Sequence, residues 1–218
     1  MINSSVDYAN SLLISPPLSN LQPTNTKPIR LGILASGSGS NFGAIAAAIQ
    51  GGKLNAEIPL VIYNNPQAGV CERAVNYQVP AILVNHRNFA TREDCDAEIV
   101  RILREYQVDW VIMAGWMRIV TKVLLEAFTN RIINIHPSLL PSFPGIRAVE
   151  QALAAGVKIT GCTVHLATLE VDSGPILIQA AVPILPDDTP LTLHARIQAQ
   201  EHLILPQAIA WCSQQERG

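Results

Sequence analysis

Asn134 and His136 are the two polar side chains in the strand-like part of Arg131 to Gly145, RIINIHPSLLPSFPG. Strand side chains alternate, so Ile133 and Ile135 share one face and Asn134 and His136 share the other. Two polar groups then point the same way at the end of an apolar strand, where leaving them unsatisfied is expensive. The chemistry open to such a pair is an Asn that holds a developing oxyanion and a His that moves a proton. The same pair also fits a satisfied core Asn and a His packed at a strand end, and spacing alone leaves both readings open. Pro137, Pro141 and Pro144 each fix one backbone angle and stiffen the loop that follows.

A second candidate lies at Ser36-Gly37-Ser38-Gly39-Ser40-Asn41. An apolar run, Ile29 to Ala35, enters it, and an Ala- and Ile-rich helix, Phe42 to Gln50, leaves it. Strand, Gly-rich turn and helix are how an α/β fold places backbone N–H groups and a helix dipole around a phosphate. A dinucleotide fingerprint needs a third Gly where Phe42 stands, and an acid at the end of the second strand. That strand, Ile58 to Tyr63, ends in Asn64-Asn65. The pattern therefore favours a simple phosphomonoester over NAD. A turn that merely needs Gly explains the loop equally well.

The elements that must position these residues follow from pattern. Ala68 to Tyr77 reads as a short helix and Pro80 to Val84 as a third strand. Thr91 to Tyr106 reads as a helix capped by Thr91 with Asp94, carrying an Ile99, Ile102 and Leu103 stripe. Arg92 sits in its first turn, where the helix dipole gives a cation no help. Asp109 to Ala114 is a fourth strand, running into Gly115-Trp116-Met117-Arg118-Ile119. A helix at Arg147 to Ala155 precedes two strands, Lys158 to Leu166 and Ile176 to Ile184, paired antiparallel. Asp172 lies in the turn between them, where Asp bonds its own backbone. Thr189 and Pro190 open a final helix to about Cys212, with a kink expected at Pro206. Gln198 and Glu201 share a face of it.

These signals predict one α/β domain over residues 29–218, with a mixed, mostly parallel sheet, helices on both faces and an antiparallel C-terminal edge. Met1 to Pro28, rich in Ser, Asn and Pro, reads as a mostly disordered tail whose removal leaves catalysis nearly unchanged. The 218 residues are 49% hydrophobic and 15% charged, with a net charge of −2, which suits a globular chain with a real core. That balance gives no electrostatic case for nucleic acid or an anionic membrane. No apolar stretch is long enough to span a bilayer. The four cysteines are scattered without a C-x-x-C, which points to a reduced, cytoplasmic setting without a disulfide framework or zinc site.

The run from Asn134 to Gly145 resembles N-I-H-P-S-L-L-P-x-[FY]-P-G, the signature of the phosphoribosylglycinamide formyltransferases, folate-dependent enzymes of purine synthesis. With its other matches the resemblance covers residues 29 to 212. It implies a single Rossmann-like domain that passes a formyl group from 10-formyltetrahydrofolate to the amine of phosphoribosylglycinamide. It implies catalytic roles for Asn134, His136 and Asp172, the last beside the His and tuning it. The S-G-x-G-S-N loop implies phosphate contacts at Gly39, Ser40 and Asn41. Gln198 and Glu201 resemble the residues that hold the ribose and glycinamide end. Arg92, Met117, Arg118, Ile119 and Val120, with Asn134, match the folate contacts. His165 matches a second His and is expected to be structural. The expected partners are these two small molecules, with no metal, nucleic acid or membrane, in a monomer or homodimer.

Three other readings remain open on the sequence. A formyltetrahydrofolate hydrolase would use the same Asn, His and Asp but has no phosphorylated acceptor to hold. A methionyl-tRNA formyltransferase needs a basic surface or an added domain. A non-catalytic nucleotide-binding module explains only the Gly-rich loop.

Overall fold

The computed structural model describes residues 13–18 and 27–215. Apolar runs form the interior strands β2 (Ile29–Ala35), β3 (Ala56–Tyr63), β5 (Trp110–Met113) and β6 (Ile132–His136), while the short β1 (Ile14–Ser15) and β4 (Ala81–Leu83) lie at the two edges. The strands β7 (Ile159–Leu166) and β8 (Ile176–Pro183) complete the sheet. Its order is β1-β8-β7-β6-β5-β2-β3-β4. The block from β6 to β4 is parallel, and β7, β8 and β1 add antiparallel at one side.

Among the described residues, six α-helices cover the two faces. Four of them, α1 (Ser40–Gln50), α2 (Val70–Asn76), α5 (Ala148–Ala154) and α6 (Pro190–Gln215), bury apolar side chains on one face, with Phe42, Ile45, Leu193 and Ile197 at its centre. The helices α3 (Arg92–Glu105) and α4 (Lys122–Ala127) bury Cys95, Ile99, Leu103 and Leu124 on the other. Thr91 caps α3 as expected, its Oγ1 accepting from the Asp94 N–H at 3.0 Å. Thr189 caps α6, accepting from the Thr192 N–H at 3.2 Å. The helix continues through Pro206. The six-residue α4 has no counterpart in the sequence reading, because fewer than two turns give too little periodicity to read.

The structure differs from the expected disordered tail at residues 13–18, where Ile14 and Ser15 pair antiparallel with Ala180 and Gln179 of β8. The Ala181 N–H also donates to the Leu13 carbonyl at 2.9 Å. The physical reason is that Ile14 packs on the core face and its backbone pairs an otherwise open sheet edge. Residues 1–12 and 19–26 lie outside the described residues.

The core is fully buried at the centre of the sheet. Ile112 of β5 has no exposed surface. Ile112→Ala is expected to cost about 2–5 kcal/mol, read as a lower denaturant midpoint at unchanged slope. A loss below about 1 kcal/mol would mean that the sheet centre repacks freely.

Candidate functional site

The order of the sheet reverses between β2 and β5: the chain moves outward through β3 and β4 on one side and through β6 on the other. Open α/β sheets bind ligands in the crevice at that point, beyond the carboxyl ends of the strands. Here β2 delivers the loop 36–39 and β5 delivers 114–121. The two are stitched together. The Ser36 N–H donates to the Gly115 carbonyl at 3.0 Å, and the Met117 N–H donates to Ser36 Oγ at 2.9 Å.

In the first loop Gly39 adopts φ 71, the left-handed region, and its missing Cβ leaves room for Val70. That turn starts α1 with Ser40. Across it, Gln198 Nε2 donates to Ser40 Oγ at 2.8 Å. Asn41 Nδ2 donates to Glu201 Oε2 at 2.9 Å. The structure thus brings Gly39, Ser40, Asn41, Gln198 and Glu201 together, although α1 and α6 are far apart in sequence. Burial pushes the Glu201 carboxyl above its ordinary range, against the opposing pull of the Asn41 amide and the His194 charge. His194 was not singled out from sequence. Its spacing from Gln198 and Glu201 on one helix face is the signal that could have found it.

The second loop forms one wall of a cavity of about 690 Å³, within the usual range of small-molecule sites. Met117, Arg118, Ile119, Val120 and Asn134 line it, as does Ile146 from across the mouth. Met117 and Ile146 are 77% and 80% exposed, so apolar surface waits at the rim. The loop is pinned from behind by Asp96, whose Oδ2 accepts from the Thr121 N–H at 2.6 Å. Burial raises the Asp96 pKa, with the Thr121 bonds and the Arg118 charge opposing it. Arg92 is exposed in the first turn of α3 and is not among the residues lining the cavity.

At the inner end of the cavity lies the polar cluster. The alternation of β6 holds: Ile133 and Ile135 enter the core beneath α1 and α6, while Asn134 and His136 line the cavity. Register places Asn134 opposite His165 and His136 opposite Thr163 on β7. His165 Nδ1 donates to the Leu166 carbonyl at 3.0 Å, which leaves Nε2 to accept from Asn134 Nδ2 at 3.0 Å. The same amide nitrogen donates to Asp172 Oδ1 at 3.3 Å. His136 Nε2 donates to the Phe143 carbonyl at 2.8 Å, and Nδ1 stands 3.3 Å from Asp172 Oδ2. A neutral imidazole serves one of these two acceptors; the imidazolium serves both.

Asp172 is the hub. It sits at φ 53 in the turn before β8, a conformation Asp tolerates better than most residues. It receives the Gly145 N–H at 2.8 Å, tying the Pro-rich loop to the cluster. Gly145 itself is at φ 78, which a side chain would strain. Burial works against the Asp172 charge. The Gly145 N–H, together with His165 and His136 when their rings carry a second proton, outweighs it, so the carboxyl lies below its ordinary range. The rest of the loop is held by Thr163, which accepts from the Leu140 N–H at 3.0 Å and donates to the Ser138 carbonyl at 2.7 Å. Gln179 adds bonds to Leu140 and Thr163. The Phe143 carbonyl and Gly145 N–H are backbone groups that no side-chain pattern announces.

The lowered Asp172 pKa has a signed consequence. The folded protein keeps this carboxylate charged to lower pH than the unfolded chain does. Its contribution to stability is full above the unfolded value of about 3.9 and fades as pH falls through the folded value. The Tm gap between wild type and Asp172→Asn is therefore expected to be constant near neutrality and to narrow below about pH 4. A gap that stays constant down to about pH 2 would contradict this.

No group of three or more His, Cys, Asp or Glu side chains suited to a metal occurs among the described residues. Among the described residues, Cys71, Cys95, Cys162 and Cys212 form no disulfide, and no helix is long and apolar enough to cross a membrane.

Fold and site together define an open α/β-sheet protein with an Asn–His–Asp cluster at its switch-point crevice, beside a Gly-rich loop. Residues 29–209 match the formyl transferase family, and the chain belongs to it. It is 40% identical over 180 residues to the phosphoribosylglycinamide formyltransferase of Bacillus subtilis, covering 83% of this chain and 92% of that protein. It is 43% identical over 183 residues to the trifunctional purine biosynthetic protein adenosine-3 of Drosophila melanogaster, covering 83% of this chain but 14% of that longer protein. The chain thus spans only about a seventh of that relative. Among solved structures, glycinamide ribonucleotide transformylase 1 from Symbiobacterium toebii superposes with a TM-score of 0.84 at 46% identity, covering 88% of this chain and 91% of that one. Phosphoribosylglycinamide formyltransferase from Bacillus halodurans gives 0.81 at 43%, covering 84% and 94%.

Proposed function

We propose that this chain transfers a formyl group from 10-formyltetrahydrofolate to the amine of phosphoribosylglycinamide, in the cytoplasm and without a metal. The observation that carries the reading is the meeting of Asn134, His136 and Asp172 at the inner end of an apolar cavity, with a Gly-rich helix start bonded to the cavity wall. The cavity suits the flat, largely apolar folate, with Met117, Arg118, Ile119 and Val120 along its side. Gly39, Ser40 and Asn41 suit the phosphate of the acceptor, and Gln198 and Glu201 its ribose and glycinamide end. Arg92, exposed at the start of α3, is assigned a folate contact on family resemblance alone.

As the acceptor amine adds to the formyl carbon, the formyl oxygen gains negative charge. Asn134 releases the longer of its two bonds, that to Asp172, and donates that N–H to the oxygen, while His165 keeps the amide in place. His136, in its imidazolium form, releases the Phe143 carbonyl, gives that Nε2 proton to the folate nitrogen as its bond to the formyl carbon breaks, and takes up the proton that the added amine sheds. Asp172 supports that charge and orients the ring. Positioning of the two reactants supplies the remainder of the rate.

The test is to follow deformylation of 10-formyltetrahydrofolate spectroscopically with and without phosphoribosylglycinamide. Deformylation that depends on the glycinamide is expected. Equal rates with and without it would replace the transferase reading with a hydrolase.

A further inference from the structure

Asp96 is a buried acidic side chain that the proposed reaction does not use. It lies in the second turn of α3 and is only 1% exposed. A carboxylate removed from water is costly to keep unless bonds compensate it. What Asp96 holds is the far end of the cavity wall. Besides the Thr121 N–H at 2.6 Å, the Thr121 hydroxyl bonds the same carboxylate. That hydroxyl oxygen in turn accepts from the Val123 N–H at 3.3 Å and so opens α4. Thr121, itself buried, therefore ends the wall, starts one helix and is tied to another.

The wall needs such a fixed point. Its near end is bonded to the loop after β2, through Ser36 to Gly115 and Met117. Further along, Trp116 and Val120 are buried in the apolar cluster beneath α3 and α4. Met117 and Ile119, which alternate with them, are exposed along the cavity. Apolar burial holds Trp116 and Val120 inward but has no direction, so by itself it leaves the wall free to slide. Among the described residues, the buried Trp116 Nε1 and Arg118 Nε have no hydrogen-bond partner to orient them. Direction comes from the short bond to the Asp96 carboxylate, a geometry that charged acceptors favour.

We propose that Asp96 is a positioning residue for the formyl donor: by holding Thr121 it sets where Met117, Arg118, Ile119 and Val120 stand, and so how tightly the folate binds. It does this without touching the folate, since Asp96 does not line the cavity. The inference rests on the function proposed above and deepens its donor site. A wall displaced by a fraction of an ångström costs binding there and leaves the acceptor side, built from α1 and α6, as it was.

The experiment compares full-length wild type with Asp96→Ala, Asp96→Asn and Thr121→Val. It measures kcat, KM for each substrate, tetrahydrofolate affinity by fluorescence titration, and hydrogen exchange along the backbone. For Asp96→Ala, KM for the formyl folate and the tetrahydrofolate dissociation constant are expected to rise together by about ten- to a hundredfold. Acceptor KM should stay within about twofold and kcat at saturation within about threefold. Exchange should quicken over residues 115–121 while β5 and β6 keep their protection. Asp96→Asn keeps an oxygen for the Thr121 N–H and should recover most of the folate affinity. Thr121→Val keeps the N–H but loses the hydroxyl, and should lie between wild type and Asp96→Ala. Unchanged folate affinity, or both substrate KM values rising in parallel with exchange quickened across the whole sheet, would overturn the proposal. If Asp96→Ala does not fold, Thr121→Val decides, with wild-type folate affinity and wild-type exchange over 115–121 counting against it. Absence of acceptor-dependent turnover in wild type would overturn the transferase reading instead, and the tetrahydrofolate titrations would still decide the role of Asp96.

Discussion

His136→Ala is expected to lower kcat by about a hundred- to ten-thousandfold, the range a positioned proton-transfer group supplies. Binding of the formyl folate should change little. The cavity wall is built mainly from Met117 to Val120 and the rim residues, and His136 itself is only 5% exposed at its inner end. Both ring nitrogens are engaged, Nε2 with the Phe143 carbonyl and Nδ1 beside Asp172. Removing the ring therefore also frees the loop carbonyl it holds, and unfolding should be followed beside kinetics. Single-turnover rates with a folate titration by fluorescence separate the two effects. Turnover within about tenfold of wild type would remove His136 from proton transfer.

Asn134→Ala is expected to cost about a hundred- to a thousandfold in kcat, the typical price of one oxyanion donor. The amide nitrogen serves two neighbours, His165 Nε2 at 3.0 Å and Asp172 Oδ1 at 3.3 Å. Truncation therefore removes the donor and also leaves a buried ring nitrogen and a carboxylate oxygen short of a partner. The folate KM should hold while kcat and kcat/KM fall together, the pattern of an interaction strengthened in the transition state. If instead KM rises at constant kcat, Asn134 is a binding residue only.

Much of this arrangement is legible before the chain is folded. Alternation along Ile132–His136 puts Asn134 and His136 on one face, and the fold keeps them there. The Gly-rich turn between an apolar strand and a helix is found where the pattern places it. Cross-chain pairings are not legible in the same way. Asn134 meets His165 because β6 and β7 pair in one register, and a shift of one residue would turn His165 to the opposite face. Asp172 reads as a turn residue, and it is one, at φ 53. Its side chain reaches Asn134, His136 and Gly145 only because the turn lies over the end of β6. Groups supplied by backbone, such as the Phe143 carbonyl, leave no trace in residue type. Nor does pattern announce that Ile14 and Ser15 pair with the sheet edge, since a two-residue strand has no periodicity to read.

The most direct test of the account follows the formyl carbon itself. With 10-formyltetrahydrofolate labelled with carbon-13 in the formyl group, NMR of the products reports where that carbon goes. The account predicts that it appears as the formamide of the acceptor amine, one for each folate deformylated, and that the yield collapses in Asn134→Ala and His136→Ala. Label recovered as free formate, at a rate indifferent to the acceptor, would contradict it.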